Sequence, residues 1–213
     1  MGRDRLNLER VLLAPAGVQP QKQQDLPGAS WQQRLAMVEL AIAGEDRIEA
    51  STVDAPREAG RPNYSVDTLG RVRELFPEHE IYFLLGADAF AGLRRWREPE
   101  RLLSQCELAV ASRPGYELPT EGNDLVEWMP EGSRFLGKED GALVFLVGSA
   151  LVRVHLFEEL AEDIAASELR AQLAGGHGFD WLAPQVADYI RANNLYGTQN
   201  TSGAPGSPAF FAG

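Results

Sequence analysis

Short apolar runs with the character of β-strands alternate along this chain with segments whose apolar residues recur at helical spacing. In "RVLLAP" (10 to 15) and "EIYFLLGAD" (80 to 88), apolar side chains occupy both faces, as they do in parallel strands covered by helices on both sides. The alternation predicts an α/β fold with a mostly parallel sheet, in which residues 80 to 88 form a central strand.

Two helices carry clear start and stop signals. Ser30 and Gln33 form the pattern of a capping box, and the apolar stripe that follows them ends at Gly44. Ser65 is expected to cap a second helix, which Pro77 prevents from continuing.

Two stretches lack a regular period. Residues 117 to 142 are rich in Gly, Glu and Pro and are expected to form an excursion or flap. Residues 197 to 213 are small and polar until two phenylalanines, and are expected to be a flexible tail. One domain, spanning residues 1 to 196, is therefore predicted ahead of that tail.

Composition excludes several classes of protein. The formal net charge of -11 argues against a nucleic-acid partner, because such proteins bind phosphates through clustered Lys and Arg. A small phosphorylated ligand is compatible with this charge. The single cysteine, Cys106, excludes an intrachain disulfide and a thiolate metal site, and no metal-ligand set is predicted.

The sequence also lacks the marks of membrane insertion or export. No apolar run reaches the roughly 18 residues of a membrane span, and the first residues lack the apolar core of a signal peptide. We therefore expect a cytoplasmic protein that makes no membrane contact.

Ligands of open α/β sheets bind outside the carboxyl ends of the strands, so the residues after each predicted strand are candidates for a site. Gly86 allows a backbone to approach a ligand closely. Asp88 can accept hydrogen bonds from a ribose hydroxyl or a ligand amide, or it can cap the next helix. Trp96, flanked by arginines, offers a stacking surface, although tryptophans more often belong to the core.

A second candidate lies near the C-terminus. Ser167 is at or next to a predicted helix N-terminus, and Arg170 follows one turn later. Free amides, a hydroxyl and a guanidinium in this arrangement would form a phosphate cradle. An ordinary N-cap with a surface arginine is the alternative interpretation.

Seven short motifs occur in a familiar order: "VLLAPAGVQPQK", "RLAMVELAI", "PNYSVDTL", "LLGADAF" followed by "RRW", "VASRPGYE", "DIAASELR" and "LAPQVADYIRANNLY". Together they resemble the bacterial nicotinate mononucleotide adenylyltransferases of the HxGH nucleotidyltransferase superfamily, in register from about Leu6 to Tyr196. The resemblance implies a Rossmann-like, doubly wound parallel sheet. It also implies transfer of an adenylyl group from ATP to nicotinate mononucleotide, a step of NAD biosynthesis that gives deamido-NAD and pyrophosphate.

The resemblance also implies partners and roles. ATP and nicotinate mononucleotide are the expected partners, Mg²⁺ enters with ATP, and a homo-oligomer is compatible with the family. Tyr64 and Ser65 would hold the pyridine carboxylate, Trp96 would stack on the pyridine ring, and Gly86 with Asp88 would line the nucleotide pocket. The positions associated with phosphate handling are those of Lys22, Arg113, Ser167 and Arg170. No protein nucleophile is required, since the mononucleotide phosphate attacks the ATP α-phosphorus in line.

The family's opening segment has no counterpart in this sequence. That segment is a strand leading into Gly-Gly-Thr-Phe-Asp-Pro and the His-x-Gly-His motif, which binds the ATP phosphates. Gln21 also replaces the usual His before Lys22, and Ala165 and Ala166 replace hydroxyl residues. Without the first strand, two sheet edges would be left unpaired.

Two hypotheses stay open. The chain is an adenylyltransferase whose natural start lies upstream, or it is an N-terminally truncated, non-catalytic mononucleotide-binding protein. Under both, we expect the 213-residue chain to bind nicotinate mononucleotide weakly and to form little or no deamido-NAD. Under the first, restoring the upstream segment recovers activity.

Overall fold

The computed structural model describes residues 5–19, 28–112, 118–157 and 166–198. The chain forms two compact units. The first comprises Met1–Leu26 with Gly44–Asp163, and the second comprises Pro27–Ala43 with Ile164–Gly213. The predicted tail, residues 197 to 213, lies outside the described residues except for Gly197 and Thr198, of which Thr198 is buried.

The described residues form seven strands and seven α-helices. The strands are β1 (Val11–Leu13), β2 (Ile48–Ala50), β3 (Tyr82–Gly86), β4 (Glu107–Ala111), β5 (Arg134–Glu139), β6 (Ala142–Val147) and β7 (Ala150–Phe157). The helices are α1 (Trp31–Ala41), α2 (Ser65–Leu75), α3 (Ala87–Ala91), α4 (Pro99–Leu103), α5 (Gly122–Leu125), α6 (Ala166–Ala174) and α7 (Pro184–Ala192).

The first unit contains two sheets. In one, β1 and β2 pair in parallel. In the other, the strand order is β3-β4-β7-β6-β5, with β3, β4 and β7 parallel and β7, β6 and β5 antiparallel. The predicted α/β fold is confirmed, and across the two sheets three of the described strand pairs are parallel and two are antiparallel.

The position of β3 differs from the prediction. Among the described residues β3 pairs only with β4, so it is an edge strand rather than a central one. Its composition is still that of a central strand, since Leu84 is apolar and yet 65% exposed. The apolar composition of β3 indicates that the strand suits a buried environment. Its position in the sheet depends on which strands lie beside it.

The prediction of an excursion over residues 117 to 142 was wrong for much of that range. β5 and β6 form an antiparallel ladder from Arg134 opposite Leu146 to Glu139 opposite Ala142. A register shift interrupts this ladder between Phe135 and Gly137, and such bulges break the alternation that marks a strand.

The core of the first unit lies between helices α2 to α5 and the five-stranded sheet. Its largest fully buried side chains include Phe90 on α3, Leu102 on α4, Leu125 on α5, Leu108 on β4 and Phe145 on β6. Burying apolar surface of this kind contributes about 25 cal/mol per Å². The helices therefore hold β3 and its carboxyl end in place.

The second unit consists of α1, α6 and α7 with the turns beside them. The predicted capping box of α1 is confirmed: the Ser30 hydroxyl accepts from Gln33 N–H at 3.2 Å, and the Gln33 side chain accepts from Ser30 N–H at 2.8 Å. Leu173, Val186 and Ile190 form the centre of its small core. No helix of the described residues is both long and apolar enough to cross a bilayer.

Candidate functional site

A cleft of about 1450 Å³ opens in the first unit between β1 and β3. It is larger than the roughly 300–1,000 Å³ typical of small-molecule pockets. Its lining includes apolar residues of the two strands and polar residues beyond their carboxyl ends: Val11, Leu12, Leu13, Phe83, Leu84, Asp54, Asn63, Tyr64, Ser65, Asp88 and Trp96.

Four of the residues singled out in the sequence line this one cleft: Tyr64, Ser65, Asp88 and Trp96. Gly86, the last residue of β3, lies two residues before Asp88. The carboxyl end of β3 and the start of α2 thus supply one wall each, as expected for a ligand site in an open α/β sheet.

The start of α2 differs from the prediction in one respect. Tyr64 occupies the N-cap position, and Ser65 is the first helical residue, so Ser65 does not cap the helix. Tyr64 makes no side-chain capping bond. The first backbone amides of a helix have no partner within it, so the hydroxyl of Ser65 stands among donors that favour an anionic group.

A hydrogen-bond network around Asn63 positions this helix start. Asn63 is only 7% exposed, and its amide donates to the Asp54 carboxylate at 3.1 Å and to Ala55 O at 2.9 Å. It also accepts from Val18 N–H at 3.3 Å, while Asp54 accepts from Gly17 N–H at 3.1 Å. The loop after β1 is thereby fixed against the residues that lead into α2.

This network has no signal in the sequence. Asn63 and Asp54 stand in a polar, proline-containing loop without a period, where single side chains carry no pattern. A buried asparagine of this kind is identified by its partners, and these are 8 to 45 residues away along the chain.

Trp96 packs against the hydrophobic core and also lines the cleft. Its ring packs edge-on against Phe83, with the ring centroids 6.3 Å apart, and its half-buried indole lines the cavity. The contact with Phe83 fixes one edge of the indole. A partly buried ring held in this way is a preorganised surface for stacking.

Arg97, next to Trp96, lines the same wall of the cleft. Its guanidinium carbon lies 4.5 Å from the centroid of the Tyr64 ring, a cation–π distance. Hydrogen bonding to the Glu98 carboxylate, and then to the Tyr64 hydroxyl, raises the pKa of Arg97 above its ordinary value. The guanidinium therefore contacts the Tyr64 ring at the N-terminus of α2.

Gly86 and Asp88 stand at the turn from β3 into α3. Gly86 is the N-cap of α3, so the alternative in which Asp88 caps this helix does not apply. Asp88 is exposed, in the first turn. A Cβ on residue 86 would lie 2.6 Å from Asp88 Oδ1, so the glycine leaves room for that carboxylate.

Ser167 and Arg170 belong to the second unit. Helix α6 begins at Ala166, so Ser167 stands in its first turn and Arg170 one turn on, both exposed. Burial raises the pKa of the Tyr196 hydroxyl, and the charges of Arg170 and Arg34 oppose this rise. Arg34, on α1, is thus a second cation whose charge acts on this hydroxyl, and no pattern in the sequence marked it.

Two predicted site residues, Lys22 and Arg113, lie outside the described residues. Within the part of the chain that is described, no group of three or more His, Cys, Asp or Glu side chains could hold a metal ion.

Comparisons with known proteins identify the family of this chain. A family model described as cytidylyltransferase-like matches residues 2–172. A probable nicotinate-nucleotide adenylyltransferase of Pelobacter propionicus is 36% identical over 196 residues, covering 91% of this chain and 87% of that protein. One of Chromobacterium violaceum is 38% identical over 199 residues, again covering 91% and 87%.

A solved structure supports the fold. The Plasmodium falciparum nicotinic acid mononucleotide adenylyltransferase complexed with NaAD superposes with a TM-score of 0.63 at 17% identity, over 90% of this chain and 84% of that one. At this identity the likeness concerns the fold alone.

Proposed function

Because this chain belongs to the nicotinate-nucleotide adenylyltransferases, within the cytidylyltransferase-like family, we propose that it transfers an adenylyl group from ATP to nicotinate mononucleotide. The products are deamido-NAD and pyrophosphate. The observation that carries the proposal beyond family membership is that Tyr64, Ser65, Asp88 and Trp96 line one cleft.

The cleft offers the groups that a pyridine mononucleotide requires. Trp96 stacks on the pyridine ring, in the orientation that its contact with Phe83 fixes. Ser65 and the first amides of α2 receive the ring carboxylate, which the positive end of a helix favours. Asp88 accepts a hydrogen bond from a ribose hydroxyl or a ligand amide.

The chemical step requires positioning and charge stabilisation. An oxygen of the mononucleotide phosphate attacks the ATP α-phosphorus, the new P–O bond forms, and the bond to the bridging oxygen breaks as pyrophosphate leaves. We assign the handling of the phosphates to Lys22, Arg113, Ser167 and Arg170. Cationic and hydroxyl groups suit this task because negative charge is concentrated on the transferring and departing groups.

The oxygen ligands of the cleft are compatible with a divalent cation that binds together with ATP. Mg²⁺ is commonly held by substrate phosphates and only one or two protein carboxylates. Of the carboxylates at the carboxyl end of the cleft, Asp54 is engaged by Gly17, Asn63, Thr68 and Arg71, which leaves Asp88 as the one that would contact such an ion. When bound, the ion would neutralise phosphate charge, while the residues above bind and orient the two nucleotides.

The proposal is tested by measuring deamido-NAD from ATP, Mg²⁺ and nicotinate mononucleotide, with pyrophosphate release as a second readout. Two proteins are compared: the 213-residue chain and the same chain extended by a fused segment that carries the family's Gly-Gly-Thr-Phe-Asp-Pro and His-x-Gly-His motifs. We expect little turnover from the shorter chain and vigorous turnover from the extended one. Vigorous turnover by the shorter chain would show that its own residues complete the ATP site.

The same assay distinguishes the non-catalytic alternative. If the extended chain folds and binds nicotinate mononucleotide but forms no deamido-NAD, the protein is a mononucleotide-binding protein. Nicotinamide mononucleotide serves as the matched control substrate, because it lacks the carboxylate that Ser65 and α2 are proposed to receive.

A further inference from the structure

The four arginines of the segment 94–101 differ in their partners. Three of them are bonded within the protein: Arg94 to a backbone carbonyl, and Arg97 and Arg101 to one shared carboxylate. Within the described ranges, the guanidinium of Arg95 forms neither a hydrogen bond nor an ion pair. Arg95 is exposed and lines the cleft, so its charge is available to a ligand.

The Arg95 guanidinium and the Trp96 indole N–H come together beside Gly92. A Cβ placed on Gly92 would lie 3.6 Å from Arg95 Nη2 and 3.8 Å from Trp96 Nε1. The indole N–H, like the guanidinium, has no acceptor among the described residues. All three residues line the cleft. Two N–H donors therefore lie close to one point on the cleft wall, and one of them is charged.

Neither the backbone conformation nor the packing requires glycine at residue 92. Its φ of -91° and ψ of -6° are right-handed helical values, which other residues adopt freely. An added Cβ would make only contacts of ordinary van der Waals length, the shortest being 3.5 Å to Ala89 O. What the missing side chain provides is open space beside the two donors.

This space lies on a different wall of the cleft from the start of α2. Gly92 directly follows α3, whereas Arg97 contacts Tyr64 at the N-cap of α2. The start of α2 is the proposed site of the ring carboxylate. Nicotinate mononucleotide carries a second anionic group, its phosphate, and the donors beside Gly92 are the ones that remain for it on the α3 wall.

We propose that the Arg95 guanidinium and the Trp96 indole N–H bind the phosphate of nicotinate mononucleotide, in the space that Gly92 leaves open. The inference rests on the proposed function and adds a cation of the cleft to the residues assigned to the phosphates. A guanidinium presents its N–H donors as a fork that matches phosphate oxygens. The pyridine ring lies on the face of the Trp96 indole, and the phosphate lies at its N–H edge.

Arg95 is thereby a specificity-determining residue. It selects the phosphorylated nucleotide over the riboside, while the start of α2 selects the carboxylate over the carboxamide. Because Arg95 is exposed, salt screens its charge. The preference of the protein for the phosphorylated ligand should therefore decrease as the ionic strength rises.

The experiment measures the affinity of the full chain for three ligands by NMR titration at low ionic strength. Nicotinate mononucleotide carries both anions, nicotinate riboside lacks the phosphate, and nicotinamide mononucleotide lacks the carboxylate. Arg95→Gln should weaken binding of both mononucleotides by about tenfold, the effect of losing one hydrogen bond to a charged group. Binding of the riboside should change by less than about twofold.

Matched variants test the cause. Arg94→Gln should leave all three affinities unchanged, because this neighbouring exposed arginine bonds to Glu127 O and stands outside the described lining of the cleft. Arg95→Lys keeps the charge and should restore part of the affinity for both mononucleotides. Gly92→Ala should weaken binding of the same two ligands without loss of stability in urea unfolding, because its methyl group occupies the space of the phosphate without a clash in the free protein.

Three results with Arg95→Gln would overturn the proposal. Equal losses for the riboside and the mononucleotides would mean that Arg95 acts on the shape of the cleft. Losses confined to the two nicotinate ligands would mean that it binds the carboxylate, and unchanged affinities would mean that it binds neither anion. In each case the wild type still binds nicotinate mononucleotide and the proposed function stands. A wild type that binds neither mononucleotide would overturn the proposed function together with this inference.

Discussion

The amide of Asn63 donates to the carboxylate of Asp54 at 3.1 Å, and this pair ties the loop after β1 to the start of α2. Gly17 belongs to the same arrangement, since its N–H donates to Asp54 and its Cα faces the Asn63 side chain. The cleft residues Tyr64 and Ser65 follow Asn63 directly. Their placement therefore depends on contacts between residues that are distant along the chain.

We expect Gly17→Ala to destabilise the protein. The added Cβ would lie 2.7 Å from the Asn63 Cγ, which is closer than real contacts allow. Overpacking of this kind costs about 1–3 kcal/mol in the free energy of unfolding, to be measured by urea denaturation. Gly70→Ala, inside α2, is the matched control and should be neutral or stabilising by up to about 1 kcal/mol.

The double variant Gly17→Ala, Asn63→Ala checks the cause. With the Asn63 side chain removed, the clash disappears, so the cost of Gly17→Ala should largely vanish in that background. An undiminished cost would mean that the backbone conformation of residue 17, rather than Asn63, requires glycine.

Gly86→Ala should impair the site more than the fold. The new Cβ would lie 2.6 Å from Asp88 Oδ1, and the carboxylate can move away from it. We expect a weaker affinity for nicotinate mononucleotide, measured by calorimetry, with an unfolding free energy that changes by less than about 1 kcal/mol. A large loss of stability with unchanged affinity would assign Gly86 to the packing of β3.

Trp96→Ala should weaken binding of nicotinate mononucleotide by about 1–3 kcal/mol, the range found when an aromatic residue that stacks on a base is removed. Trp181→Ala is the matched control, because Trp181 is 58% exposed and does not line the cleft. Equal affinities in the two variants would leave Trp96 with its packing role against Phe83 alone.

Cys106 makes stability depend on pH in the alkaline range. Burial raises the pKa of its thiol to about 12, with Glu107 adding to the rise and Arg73 opposing it. Below the ordinary value of the unfolded thiol, about 8.5, both states are protonated and its contribution is complete. Between there and about 12 only the unfolded state loses the proton, so the free energy of unfolding falls as the pH rises.

The measurement compares the wild type with Cys106→Ala by urea unfolding at about pH 8 and about pH 10. The stability of the wild type relative to the variant should fall between these values, by up to about 1.4 kcal/mol per pH unit above the unfolded pKa. A difference that is constant with pH would contradict the buried thiol.

Local sequence signals predicted local structure well, and the failures concern partners that are distant along the chain. The capping box of α1 needs only Ser30 and Gln33, and it was confirmed. A central position for β3 requires a paired strand on each side. The composition of β3 does not determine whether both strands are present. The edge position of β3 does not exclude the family, because the family match covers residues 2–172.

The site was predicted in part for the same reason. Tyr64, Asp88 and Trp96 stand next to strand or helix ends that the sequence marks, whereas Asn63 acts through hydrogen bonds across the fold. Ser65 shows how a one-residue shift at a helix start changes a role: it was expected as the cap and is the first helical residue. Helix boundaries of this kind depend on how the preceding loop is held, here by Asn63 and Asp54.

The central claim is that the cleft beside Trp96 is a nicotinate mononucleotide site, and the four tryptophan indole N–H signals in an NMR spectrum test it directly. Trp96 lines the cleft, and Trp31, Trp128 and Trp181 do not. Titration with nicotinate mononucleotide should shift the Trp96 signal in a saturable way and leave the other three in place. A Trp96 signal that stays unmoved at millimolar nucleotide, or a saturable shift at another tryptophan alone, would contradict the account.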